Sequence, residues 1–326
     1  MILRAVRATR LWAVLAVLAV AAGLVAGCSG SPRTSVQAAE GSLAASADLR
    51  GQTYVVGGKS SDEQRVLCEI TVAALESARA GVTDRCDRDG APRKALATGD
   101  INVYWEDTGT AWASYLRGGT ERLSPDARYR AVADRDLAQN GIVWLAAAGY
   151  QDTYAFTVAG PEAARMRLRT QSDMIGYLRS GQPATVCVDG DYANRRDGLR
   201  AVERTYGFTI PPDRVEVLDD GLIPQSTADR VCTFGEVPTT DGRIAGLGLT
   251  VLDDDRDAHI ASMPAPTLRK DAYDRAPQVA RVLDPISAAL DQPTVVGLNK
   301  RVSADGMSPR DAAREWLTGR GFIGSS

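Results

Sequence analysis

Gln52-Thr-Tyr-Val-Val-Gly57-Gly58-Lys59-Ser60-Ser61-Asp62-Glu63-Gln64 is the stretch on which the fold turns. Its first six residues are β-branched and aromatic enough for a short strand, and Gly58 breaks it. Ser60, followed three residues later by Glu63, has the spacing of a capping box, in which the two residues satisfy free amides of a first helical turn. Leu67, Ile70, Ala74 and Ala78 then keep to one helical face as far as Gly81. A strand, a glycine turn and a capped helix in succession begin an α/β unit. In such units solutes sit beyond the carboxyl ends of strands, where helices start.

The same alternation continues downstream. A second strand is expected at 101–105, ending in Glu106-Asp107-Thr108-Gly109-Thr110, with a helix from Thr110 to Leu116. Further strands are expected at 142–145, 153–158, 184–188, 215–218, 230–234 and 247–252. Helices are expected near 171–178, 197–206, 270–291 and 307–318. Strands alternating with helices give an α/β fold with mostly parallel sheets. At 326 residues, 44% of them hydrophobic, the chain has material for two lobes. The turns at 57–64 and 105–110 are the first places to look for a ligand.

The N-terminus carries a targeting signal. Arg4, Arg7 and Arg10 precede an apolar run from Leu11 to Gly27, which stops at Val25-Ala26-Gly27-Cys28. A basic start, an apolar middle and small residues before a cysteine mark a signal peptide (residues 1–27), and the junction resembles the lipobox of bacterial lipoproteins. Cys28 is then the lipidated residue, and the Ser/Ala/Gly-rich residues 28–48 form a flexible tether to the cell membrane, outside the cytoplasm. Removing residues 1–27 takes the formal net charge from −3 to −6. That balance leaves no electrostatic footprint for nucleic acid.

Export puts the remaining cysteines, Cys68, Cys86, Cys187 and Cys232, in an oxidising compartment, where four thiols make two disulfides in one of three pairings. Sequence order favours Cys68–Cys86 and Cys187–Cys232. No CxxC spacing points to zinc or redox chemistry. The single histidine, His259, cannot build a His-rich metal site, has no partner motif that would make a Ser-His-Asp triad, and is expected to be structural. Asp253-Asp254-Asp255 lacks the spaced oxygen ligands of a calcium loop and reads as solvated. Glu106 and Asp107 are adjacent, but no nucleophile elbow, P-loop or dinucleotide fingerprint accompanies them, so neither a cofactor nor catalysis is expected.

A series of short motifs carries a resemblance. Val55 to Gln64 is similar to the opening strand and helix of the osmoprotectant-binding proteins of ABC importers, whose usual motif is Gly-x-Lys-Asn-Phe-Thr-Glu-Gln. Ala95 to Thr110 resembles their second motif, with its Glu-Tyr-Thr-Gly-Thr core, and Gln151-Asp152-Thr153-Tyr154-Ala155 resembles Asn-Asn-Thr-Tyr-Ala. Arg196-Asp197-Gly198-Leu199, Tyr206-Gly207-Phe208, Thr239-Thr240-Asp241-Gly242-Arg243-Ile244, Leu252-Asp253-Asp254-Asp255, Pro264-Ala265-Pro266 and Leu298-Asn299 follow in the family's order, over about residues 52–321. The resemblance implies a type II periplasmic-binding-protein clamshell. One lobe would hold residues 49–156 and 246–326 and the other residues 157–245, with hinge crossings near Val158 and Ile244. Closure on a small solute would license docking on an ABC permease; a monomer is the expected state. The alternative is a solute-sensing or orphan surface lipoprotein that feeds no permease.

The family holds quaternary amines such as glycine betaine, choline and carnitine in a cage of tyrosines. Aligned on its motifs, this chain has Asp107 where a cage tyrosine is usual, Pro238 in place of another aromatic, and Ala258-His259-Ile260-Ala261-Ser262 in place of Phe-Phe-Pro-Pro-Tyr. Tyr154 is the cage tyrosine that remains. The expected ligand is therefore a polar or cationic solute, with Asp107 as counter-charge and Asp152 as a second carboxylate. Lys59, Ser60, Gln64, Thr108, Thr110 and Asp241 are the further candidate contacts.

Overall fold

The computed structural model describes residues 37–87, 91–119 and 123–325. The signal peptide, Cys28 and the first part of the expected tether lie outside the described residues. Among the described residues ten strands run in chain order as β1 (Thr53–Gly57), β2 (Gly81–Arg85), β3 (Val103–Asp107), β4 (Ile142–Trp144), β5 (Tyr154–Ala159), β6 (Val186–Val188), β7 (Val215–Val217), β8 (Phe234–Pro238), β9 (Leu249–Leu252) and β10 (Pro264–Arg269). They form two five-stranded sheets, ordered β2-β1-β3-β10-β4 and β7-β6-β8-β5-β9.

The two sheets share one plan. In the first, β1 runs parallel to β2 and β3, while β10 is antiparallel to β3 and β4. In the second, β6 runs parallel to β7 and β8, while β5 is antiparallel to β8 and β9. Each sheet is thus mixed rather than mostly parallel. The antiparallel member is in each case the first strand of its sheet after the chain crosses from the other. The crossings lie at 145–153 and 253–263, not near Val158 and Ile244, because β5 and β9 pair inside the second sheet along their whole lengths. Phe156, Val158 and Leu252 accordingly belong to the second lobe's core.

The helix Asp62–Ser77 organises the first lobe. It is buried along almost its entire length, against β1–β3 on one side and helices Ala280–Ala289, Gln292–Ser303 and Pro309–Gly319 on the other. One of its buried hydroxyls, Thr71 Oγ1, accepts the indole N–H of buried Trp105 at 2.8 Å. The cap is Ser61 rather than Ser60: Ser61 Oγ accepts the Gln64 amide at 3.4 Å, so the helix starts one residue later than the Ser60–Glu63 spacing indicates. Both expected disulfides are present. Cys68–Cys86 ties this helix to the end of β2, and Cys187–Cys232 ties β6 to the turn before β8. That turn also explains why the strand expected at 230–234 begins only at Phe234: the Val231 and Cys232 amides both turn back to Ser226 O.

The second half of the expected tether is not loose. Residues 37–48 form a strap on the first lobe, with Ala38, Leu43, Ala47 and nearby Leu49 buried in its core. The Ala38 amide donates to Glu76 Oε2 at 3.2 Å, and the Ser42 and Leu43 amides donate to Gly321 O and Phe322 O. Small residues permit this close seating, since a Cβ at Gly41 would lie 2.5 Å from Phe322 O. The Ser/Ala/Gly composition that reads as flexibility serves here as close packing.

Candidate functional site

The carboxyl ends of β1 and β3 deliver Lys59, Glu106 and Asp107 to one place. Lys59 Nζ sits 2.5 Å from both Glu106 Oε1 and Asp107 Oδ2. Burial alone would lower the Lys59 pKa, but the charges of Asp107 and Glu106 outweigh it and raise it, so the ammonium stays protonated. Glu106 is fully buried and also accepts the Tyr104 hydroxyl at 2.5 Å and the Asp107 amide at 2.8 Å. Gln64, in the first turn of its helix, donates to Asp107 Oδ2 at 3.3 Å.

Two more carboxylates crowd this wall. Glu63 accepts the Tyr150 hydroxyl at 2.7 Å and the Asn299 amide at 2.9 Å. Asp152 accepts the Thr240 hydroxyl at 3.4 Å. Burial raises the pKa of both, and for Asp152 the charges of Glu63 and Asp107 add to it. Lys59 pairs directly with Glu106 and Asp107, while Glu63 and Asp152 have neutral hydrogen-bond partners.

Lys59, Glu63, Gln64, Asp107 and Asp152 line a cavity of about 950 Å³ between the lobes, with Glu106 behind them. From the second lobe come Tyr154, Asp189, Arg195, Glu236 and Asp241. Glu236 is buried and accepts the Asp189 amide at 3.2 Å; burial and the Asp189 charge raise its pKa well above the usual carboxylate range. Arg195 pairs with Asp197 at 2.8 Å, lies 5.4 Å over the Tyr154 ring, and reaches across to Thr110 Oγ1 at 3.4 Å. Tyr115, from the first lobe, is the other aromatic lining the cavity among the described residues, with Arg93 5.1 Å over its ring. Asp241 is occupied by Arg243 at 2.6 Å. The lobes touch closely at this point, where a Cβ on Gly242 would fall 2.2 Å from Lys300 N.

Most of the candidates from the sequence meet in this cavity: Lys59, Ser60, Gln64, Asp107, Thr110, Asp152, Tyr154 and Asp241. Thr108 does not. Its hydroxyl accepts the Met263 amide at 2.9 Å and its own amide donates to Met263 O at 3.1 Å, so it fastens the β3 exit to the second crossing. His259 is a packing residue held by Tyr192 at 2.7 Å and Asp254 at 3.2 Å. Asp254 and Asp255 both accept the Tyr206 hydroxyl, so the acidic run is used inside the second lobe. Glu69, Asp84 and Cys86 come together elsewhere, but the sulfur is in a disulfide and Arg310 pairs with both carboxylates. Sequence reasoning gave no solute-site role to Tyr115, Arg195 or Asn299 and assigned Glu63 only to a capping box. Only the Leu298-Asn299 motif carried a signal.

The sequence profile of OpuAC, the substrate binding domain of ABC-type glycine betaine transport systems, matches residues 52–319. The chain belongs to this family. As a substrate-binding domain of that kind, it is 31% identical to the glycine-betaine-binding protein of Pseudomonas aeruginosa, over 82% of this chain and 88% of that one. It is 27% identical to the glycine betaine-binding protein YehZ of Escherichia coli K12, over 82% and 90%. The solved structure of apo YehZ from Escherichia coli superposes with a TM-score of 0.64 at 26% identity, covering 83% of this chain and 99% of that one. The substrate-binding domain is therefore a type II periplasmic-binding-protein clamshell that serves an ABC importer. Such components work outside the cytoplasm, and among the described residues no helix is long and apolar enough to cross a membrane.

Proposed function

We propose that this substrate-binding protein captures a small cationic solute in the interlobe cavity and hands it to its permease after the lobes close. The observation that supports this reading is the acidic first-lobe wall, where Glu63, Glu106 and Asp107 are buried, Asp152 is half-buried, and Lys59 pairs directly with Glu106 and Asp107 alone. Carboxylates taken out of water need compensating charge, and a cation supplied by the solute stabilises the closed state over the open one. Asp107 is the counter-charge and Tyr154 the aromatic wall. Lys59 orders Asp107 rather than touching solute. The protein acts as a monomer, tethered to the membrane through lipid on Cys28.

Calorimetric titration with choline, glycine betaine, carnitine, basic amino acids and polyamines tests the reading. Cations should bind, and Asp107→Asn should weaken them at least about tenfold, because a buried charge partner is lost. Micromolar glycine betaine binding that survives Asp107→Ala undiminished would sink the idea.

A further inference from the structure

Three side-chain oxygens on the cavity wall have no hydrogen-bond partner: Gln64 Oε1, Asp107 Oδ1 and Asn299 Oδ1. Their residues are 4%, 6% and 4% exposed. The two amides are oriented by their partners. Gln64 Nε2 donates to the Asp107 carboxylate, and Asn299 Nδ2 donates to the carbonyl of Thr240 at 2.9 Å as well as to Glu63. In each case the nitrogen faces an acceptor, so the atom left over is the acceptor oxygen. Asp107 Oδ2 is taken by Lys59 and Gln64, which leaves Oδ1.

The cavity lining also holds one unpartnered donor, Arg65 Nε, but three unpartnered acceptor oxygens call for hydrogen-bond donors on the solute. A quaternary ammonium presents only C–H groups. It is normally held by aromatic faces, and here both cavity tyrosines already carry an arginine of the protein over the ring, Arg195 on Tyr154 and Arg93 on Tyr115.

We infer that the solute's cationic group carries N–H bonds, as in a primary or secondary ammonium or a guanidinium, and that Gln64, Asp107 and Asn299 read those hydrogens. This rests on the proposed cationic cavity and narrows it. Asp107 supplies charge and one acceptor; Gln64 and Asn299 supply acceptors without charge, and so discriminate by hydrogen count. A solute with full N-methylation would bury all three oxygens unsatisfied, which a site built for hydrogen bonding penalises by tenfold or more.

Calorimetry on the full chain with matched pairs tests this: ethanolamine against choline, lysine against Nε-trimethyllysine, and putrescine against its bis-trimethylammonium counterpart. The expected result is at least about tenfold tighter binding of the N–H member in every pair that binds. Gln64→Met, which keeps the length and removes the acceptor, should shrink that ratio several-fold with little change for the methylated member, whereas Asp107→Asn should weaken both members. The wild-type ratio needs no variant to fold. Equal or tighter binding of the methylated members overturns the inference while leaving the cationic cavity standing. Absence of saturable binding by any cation of the set overturns both.

Discussion

The guanidinium of Arg195 lies 5.4 Å from the centroid of the Tyr154 ring and donates to that ring's hydroxyl at 3.2 Å. The aromatic surface that a cationic solute would use is thus engaged by a cation of the second lobe. Removing it should expose the ring. In Arg195→Ala the affinity for choline is expected to rise about two- to thirtyfold, the worth of one cation–π face. The bond given up to Thr110 is long at 3.4 Å and offsets little of that gain. Titration of wild type and variant with choline measures it, and an unchanged affinity would mean that the Tyr154 face is not a binding surface.

The buried carboxylates set the pH dependence of stability. Burial raises the pKa values of Glu63, Asp152 and Glu236, and that of Glu69 to about 7. A carboxyl whose folded pKa lies above its unfolded one stabilises the fold fully below the unfolded value, and that contribution is lost as pH rises through the folded value. Asp254 acts oppositely: hydrogen bonds from His259 hold its pKa below the usual range, so its contribution is lost in acid. Melting temperature without ligand should therefore be higher near pH 5 than near pH 8, by about a few degrees. Glu69→Gln should flatten the part of the slope near neutrality. Cation affinity should run the other way, rising with pH as the cavity carboxyls of Glu63, Asp152 and Glu236 ionise. Scanning calorimetry and titration across the same buffers check both signs.

The strap makes a prediction about folding. Leu43 is 1% exposed in the first lobe's core, so Leu43→Ala should destabilise the protein by about 2–5 kcal/mol, as for other buried leucines. A freely flexible tether would give no change. Urea unfolding of the two proteins decides between them.

The legible part of the fold was the part written in local pattern. β1 and its helix, the helix Gln171–Arg179 and the strand at Tyr154 all follow from periodicity and turn residues within a few positions of where they lie. β10 was missed for a physical reason. Pro264 and Pro266 read as a strand breaker, yet the strand is central. The carbonyls of both prolines point toward the β4 side, where they accept from Ala148 and Leu145, so their missing N–H groups face that side too. β4 itself pairs only with Thr267–Arg269, so no ladder bond is lost.

The site divides the same way. Gln64 and Asp107 were visible because they sit at a helix start and a strand end, and Asp152 and Tyr154 through the motif resemblance around 151–155. Glu63 and Asn299 were not, because their pairing joins positions 236 residues apart, and no local pattern records which helix will bring an amide to a carboxylate.

The docked strap has a consequence for how the molecule hangs in its surroundings. A lipid on Cys28, as proposed, would sit nine residue steps from Gln37, at most about 30 Å of chain. The strap is made fast to the first lobe only. Under the proposed anchoring the second lobe would be the moving jaw, swinging against a partner already moored, and the cavity that it covers would stay close to the bilayer.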